Sequence, residues 1–125
     1  MSNWFEDVKD FHKAFSLKIG VTPLIPENVE ERLLRLDLLE EEFEEYLEGE
    51  ENSDIVEIAD ALADIIYIAC GTAVSYGIPL DKVFAEVHRS NMAKLVDGKP
   101  IYREDGKVLK PEGWTPPDIK GILGL

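Results

Sequence analysis

LRLDLLEEEFEEYLEGEENSDIVEIADALADIIYIA, residues 34–69, sets six glutamates into the nine positions from Glu40 to Glu48 and then drops Glu57, Asp60 and Asp64 into an otherwise apolar run. At about 100° per residue, these last three acids fall on one side of a helix, and the same side continues as Tyr67, Ile68 and Gly71. The opposite side carries Ile58, Leu62, Ile65, Ile66 and Ala69, so this helix is apolar on both sides and is expected to be buried. On the helix before it, Leu36, Leu39, Phe43, Tyr46 and Leu47 form one stripe, while Leu34 and Leu38 lead into Glu41, Glu42 and Glu45. Glu42 and Glu45, three residues apart, project together. Glu40, Glu44 and Glu48 lie elsewhere and read as solvated.

Ionised carboxylates in a partly buried cleft are costly unless they are protonated, paired with basic groups or bound to a cation. Residues 30–64 hold fifteen acids and only two basic residues, Arg32 and Arg35, so pairing cannot neutralise them all. Oxygen-only ligands suit hard cations, and clusters that leave room for water suit Mg²⁺. The plain alternative for Glu57, Asp60 and Asp64 is an ion-pair seam with basic residues of a later helix or another subunit.

Outward from this stretch, apolar residues at Trp4, Val8, Phe11 and Phe15 predict a first helix over residues 4–17. Pro23 and Pro26 make the next segment a loop, and the second helix is expected to start near Glu27 or Asn28 and to end near Glu48, where Gly49 breaks the pattern. Asn52, Ser53 and Asp54 offer N-cap side chains for the third helix, a Ser53 cap setting Glu57 close to its first turn, and Gly77 followed by Pro79 stops it near Tyr76. A fourth runs from Leu80 to about Leu95. Four helices on short loops predict an all-α fold, a four-helix bundle. Residues 1–96 form the helical domain and 97–125 an irregular tail that packs on the bundle or on a partner subunit, with a short β-hairpin about Asp105-Gly106.

One domain of 125 residues has a modest core, so a homo-oligomer, a homodimer or homotetramer, is expected. Outside residues 30–64 acids and bases balance, so the whole formal charge of −13 lies in one segment, which argues against polymeric nucleic acid or an anionic membrane as its partner. Cys70 is the only cysteine, which excludes an intrachain disulfide and a cysteine-rich zinc site. The N-terminus has no signal-peptide pattern and the longest apolar stretch is too short for a membrane span, so a cytoplasmic location is expected.

Glu42-Phe43-Glu44-Glu45 and Glu57-Ile58-Ala59-Asp60, on consecutive helices and followed by ALADIIYIA and EVHRSNMAKL, resemble the E-x-x-E and E-x-x-D signature of the MazG-like all-α nucleoside triphosphate pyrophosphohydrolase superfamily. The resemblance spans residues 11–95. It implies Mg²⁺ ligands at Glu42, Glu45, Glu57 and Asp60, with Mn²⁺ as a substitute, and substrate phosphates met by Asn91 and Lys94 of an N-x-x-K. Glu41 or Asp64 would accept the proton from the attacking water. The reaction it implies is hydrolysis of a (deoxy)nucleoside triphosphate to the monophosphate and pyrophosphate. Phe11, His12 and Phe15, or Tyr102 and Trp114, are candidates for contact with the base, against the plainer reading of aromatic residues at helical spacing as core. The competing functions are phosphoribosyl-ATP pyrophosphohydrolase and a non-catalytic acidic helical binding module.

Overall fold

The computed structural model describes residues 3–125. The first two residues, counted above in the helical domain, lie outside the described residues. The chain is all-helical, with α1 (Trp4–Ala14), α2 (Val29–Glu51), α3 (Ile55–Tyr76), α4 (Leu80–Met92) and α5 (Ile119–Leu123). Proximity along the backbone divides it into two compact units, Met1–Leu80 and Asp81–Leu125. Among the described residues no helix is long and apolar enough to cross a membrane.

In the first unit, each helix start has its own side-chain cap. Asn3 accepts from the Glu6 N–H at 3.2 Å, Asn28 from the Glu30 N–H at 2.9 Å, and Asp54 from the Val56 and Glu57 N–H groups at 3.1 and 3.2 Å. Of the three candidate caps, Asp54 is the one that caps α3. Ser53 takes a left-handed conformation at φ 50° in the α2–α3 turn, which removes it from the cap position. Helix α1 ends three residues before the expected Leu17, where Ser16 turns left-handed at φ 55°. Gly77 closes α3 in the left-handed conformation at φ 71°, as its position in the sequence predicts.

Gly49 does not end α2. The helix runs through it to Glu51, and Gly49 is buried against α3: a Cβ built there would stand 2.9 Å from Ile58 Cγ1 and 3.1 Å from the Ile58 nitrogen. The missing side chain lets the two helices approach closely. Helices α2 and α3 run antiparallel in a register marked at three levels. Gly49 meets Ile58, Glu42 and Glu45 meet Asp64, and Arg35 donates to Ile68 O and Thr72 Oγ1, each at 2.9 Å.

The α2 residues withdrawn from solvent are Glu31, Arg35, Leu38, Glu42, Tyr46 and Gly49. Their spacing of three and four is that of a helix–helix seam, yet the stripe is mostly polar. Of the expected core stripe Leu36, Leu39, Phe43, Tyr46 and Leu47, only Tyr46 is withdrawn from solvent; Leu36 is 63% and Phe43 50% exposed. The expected burial of α3 holds in part: Ala61 is buried in its first half, and burial becomes continuous only toward its C-terminal end. Cys70, Ala73 and Val74 are buried, and Val8 of α1 closes a small core with Cys70 and Val74, packed by Phe5, Ile19 and Leu80. Leu62, Ile66 and Tyr67 remain partly open to solvent, although Phe11 of α1 meets the Tyr67 ring edge-on at 5.7 Å between centroids.

In the second unit, α4 stops at Met92 rather than at Leu95. Its backbone ends in a turn in which the Lys94 N–H bonds to Asn91 O at 3.2 Å. The expected hairpin is not formed as strands. The described residues there hold two isolated antiparallel bridges, Val96 with Lys99 and Tyr102 with Val108. The tail ends in α5, whose Asp118 cap accepts from the Gly121 N–H at 3.0 Å.

Candidate functional site

At the middle of the α2–α3 seam, one carboxylate oxygen each from Glu42, Glu45 and Asp64 lies within 4.8 Å of the other two. Glu42 and Glu45 share a face of α2 because they are three residues apart. Asp64 reaches them because the Gly49–Ile58 contact sets the register of α3 against α2. Glu42 and Asp64 are half-buried, Glu45 exposed.

Glu42 Oε2 is buried and has no hydrogen-bond donor. Its neighbours are carboxylates, which when ionised have no hydrogen to offer. Burial raises the Glu42 carboxyl to about 7, and the adjacent Glu45 and Asp64 push it the same way. A proton or a cation must therefore occupy this point at neutral pH. The donor set is all oxygen and anionic, and water can reach it from the exposed Glu45 side, which fits a hard divalent cation. Arg35 does not neutralise it. That guanidinium is spent on Ile68 O and Thr72 Oγ1 two turns along the seam, and burial lowers its pKa.

The other sequence-predicted residues distribute as follows. Glu57 is half-buried near the cluster, and its carboxyl is raised by burial first and then by Glu48, Asp54 and Glu45. Asp60 and Glu41 are exposed and stand outside the triplet. His12 is buried, 3% exposed, with Nδ1 2.8 Å from Lys18 O, so it packs inside the first unit. In the second unit, Lys94 Nζ donates to Asn91 Oδ1 at 3.0 Å. The helical wheel had put Asp64 with Glu57 and Asp60. It could not show which of them meets Glu42, because that depends on the inter-helix register. Buried Gly49, seven residues after Glu42, carried that signal.

A cavity of about 280 Å³ in the same unit is lined by Trp4, Asp7, Val8, Ala63, Ile66 and Tyr67. Its α3 wall brackets Asp64 in the sequence. Sequence reasoning named none of these residues for the base, since Trp4 and Tyr67 read as core.

Residues 8–91 match the family described as phosphoribosyl-ATP pyrophosphohydrolase, a span that includes the whole α2–α3 seam. The chain is also 31% identical over 80 residues to an uncharacterized protein of Acanthamoeba polyphaga mimivirus, covering 62% of this chain and 32% of that protein. It thus spans about a third of that relative's length. The family's members are hydrolases of nucleotide pyrophosphate bonds. By this match over most of its length, the chain belongs to the phosphoribosyl-ATP pyrophosphohydrolase family, within the MazG-like all-α nucleoside triphosphate pyrophosphohydrolase superfamily.

Proposed function

We propose that this protein hydrolyses the α–β phosphoanhydride of a nucleoside triphosphate, giving the monophosphate and pyrophosphate, with Glu42, Glu45 and Asp64 holding Mg²⁺. The observation that carries the reading is the buried, donorless Glu42 Oε2 inside an all-carboxylate triplet. Asp60 and Glu57, one and two turns before Asp64, extend the acidic wall and serve as further ligands once substrate enters. When bound, Mg²⁺ supplies charge neutralisation to the phosphates and acidifies water.

The protein's own groups do the rest. Glu41, exposed and next to Glu42 in sequence, accepts the proton of the attacking water. Asp64, held within the triplet, acts as a ligand in this reading. Asn91 and Lys94 meet the phosphates as donors. The cavity between Trp4 and Tyr67 takes the base, with Asp7 as an acceptor for an amino or imino group. The outward apolar stripe of α2 and the uncovered Leu62 and Ile66 of α3 support assembly as a homo-oligomer that buries them.

A panel of ribo- and deoxynucleoside triphosphates with Mg²⁺, read by pyrophosphate release, tests the proposal. Release from at least one nucleotide, lost in Glu45→Gln, is the expected result. The family match supports phosphoribosyl-ATP as a second substrate, so it belongs in the panel. Binding without turnover of any of them would leave a non-catalytic acidic module instead.

A further inference from the structure

The second unit gathers two positive charges on one aromatic ring. Lys110 Nζ lies 4.8 Å and Lys94 Nζ 5.5 Å from the centre of the Trp114 indole. The ring is fixed from behind. Its Nε1–H donates to Ser90 O at 2.7 Å, and the fully buried Ser90 hydroxyl donates to Thr115 O at 3.1 Å. Trp114 therefore cannot swing away, and it draws both ammonium groups to a fixed place by cation–π attraction.

Among the described residues, neither lysine has a carboxylate within ion-pair distance. Several of the unit's acids are engaged elsewhere: Glu86 with Arg89, Asp105 with Arg103, Asp118 with the Gly121 N–H. The Lys94–Asn91 bond also sets the Asn91 amide, because its oxygen accepts from Lys94 and its NH₂ is left to donate. Both ammonium groups thus border one fixed ring, and among the described residues the Lys110 ammonium and the Asn91 NH₂ have no acceptor. Seven acids and eight bases in residues 81–125 make a local cationic site, not a basic surface that would track a nucleic acid.

We propose that Lys110, together with Lys94 and Asn91 around the Trp114 ring, forms a polyphosphate-anion subsite that binds pyrophosphate and the phosphate tail of a triphosphate without a metal ion. The choice of ligand rests on the proposed hydrolase function. The site itself rests on the geometry about Trp114.

The test uses the full chain at constant ionic strength in EDTA, with inorganic pyrophosphate titrated by calorimetry and by Trp114 fluorescence in a Trp4→Phe background, which leaves one tryptophan. Saturable binding with a change in Trp114 emission is expected, weakened about tenfold by Lys110→Gln and restored by Lys110→Arg, the worth of one charge-assisted hydrogen bond. Absence of pyrophosphate binding in EDTA, or binding by Lys110→Gln equal to the parent, would overturn the subsite. Should Lys110→Gln not fold, Lys110→Ala in the same titration gives the reading. Hydrolysis without metal-free binding would sink the subsite and spare the function. Lys110-dependent binding without hydrolysis of any nucleotide would do the reverse.

Discussion

Glu42 on α2 and Glu86 on α4 are the same side chain, both half-buried, in opposite surroundings. Glu86 accepts from Arg89 Nε at 2.6 Å, Arg89 Nη2 at 3.0 Å and the Asp118 N–H at 2.7 Å. The Arg89 bond and then the Asp118 backbone bond hold its carboxyl at about 2. Glu42 meets only other carboxylates, and its carboxyl rises to about 7. The acid of the second unit is finished as a structural tie between α4 and the start of α5. The acid of the first unit is unfinished, and its missing partner must come from solution. An unsatisfied buried group kept in a folded protein is a reason to look for function there, because it costs stability that a solvated residue would not.

The largest effect that would break this contrast is on activity. Glu42→Gln removes an anionic ligand, and hydrolysis should fall at least about 100-fold, beyond the loss usual for groups that only orient ligands. The same substitution relieves like-charge crowding. The metal-free variant should therefore melt higher than the parent at pH 7.5, by roughly 3–5 °C, the response of a domain this size to about 1 kcal/mol. Loss of both activity and stability in Glu42→Gln would mean that the residue is a structural tie like Glu86.

Stability against pH should separate the two acids next. Folding raises the Glu42 pKa, so between about 4.5 and about 7 the folded state binds more protons than the unfolded one, and the metal-free protein loses stability as pH climbs through that window. Mg²⁺ should reverse the loss at the upper end. For Glu86 the folded pKa is depressed, so its contribution is complete above about 4.5 and disappears as pH falls toward about 2. Melting curves across both ranges, with Glu42→Gln flattening the upper window and Glu86→Gln the lower, check the assignment. Glu86→Gln should leave the upper window unchanged.

Gly49→Ala probes how the first unit brings its acids together. The added methyl meets Ile58 at the α2–α3 contact, and overpacking of about 1–3 kcal/mol outweighs the gain in helix propensity of up to about 1 kcal/mol. Urea denaturation should show a net loss of about 1–2 kcal/mol, and Mg²⁺ affinity should weaken as the register widens. The smallest effect is at Ser90→Ala, which removes one neutral bond to Thr115 O for about 1 kcal/mol and should shift Trp114 emission without touching Mg²⁺ binding.

The sequence made the helices readable where local chemistry sets them. Gly77 followed by Pro79 ends α3, and the proline-rich loop before Asn28 opens α2. It also showed that the acids of two successive helices lie where apolar neighbours expect company. What it could not show is register. A helical wheel assigns Glu57, Asp60 and Asp64 to one face, but only the approach of Gly49 to Ile58 selects Asp64 as the partner of Glu42 and Glu45. Gly49 misled for the same reason, since a glycine that ends a helix and one that lets a neighbour in look alike without the neighbour. The apolar run Leu36, Leu39, Phe43 reads as a core stripe, yet the seam facing α3 is Arg35, Glu42 and Gly49. Periodicity reports which residues avoid water, not which surface covers them. Helix α5, five residues capped by Asp118, is too short to leave a periodic signal.

Calorimetric titration of Mg²⁺ into the metal-free protein at pH 6.5, repeated in buffers of different ionisation enthalpy, bears most directly on the unfinished acid. Saturable binding that releases close to one proton, with the proton release absent in Glu42→Gln, is the predicted result. Binding without proton release, or Glu42→Gln behaving as the parent, would contradict the account.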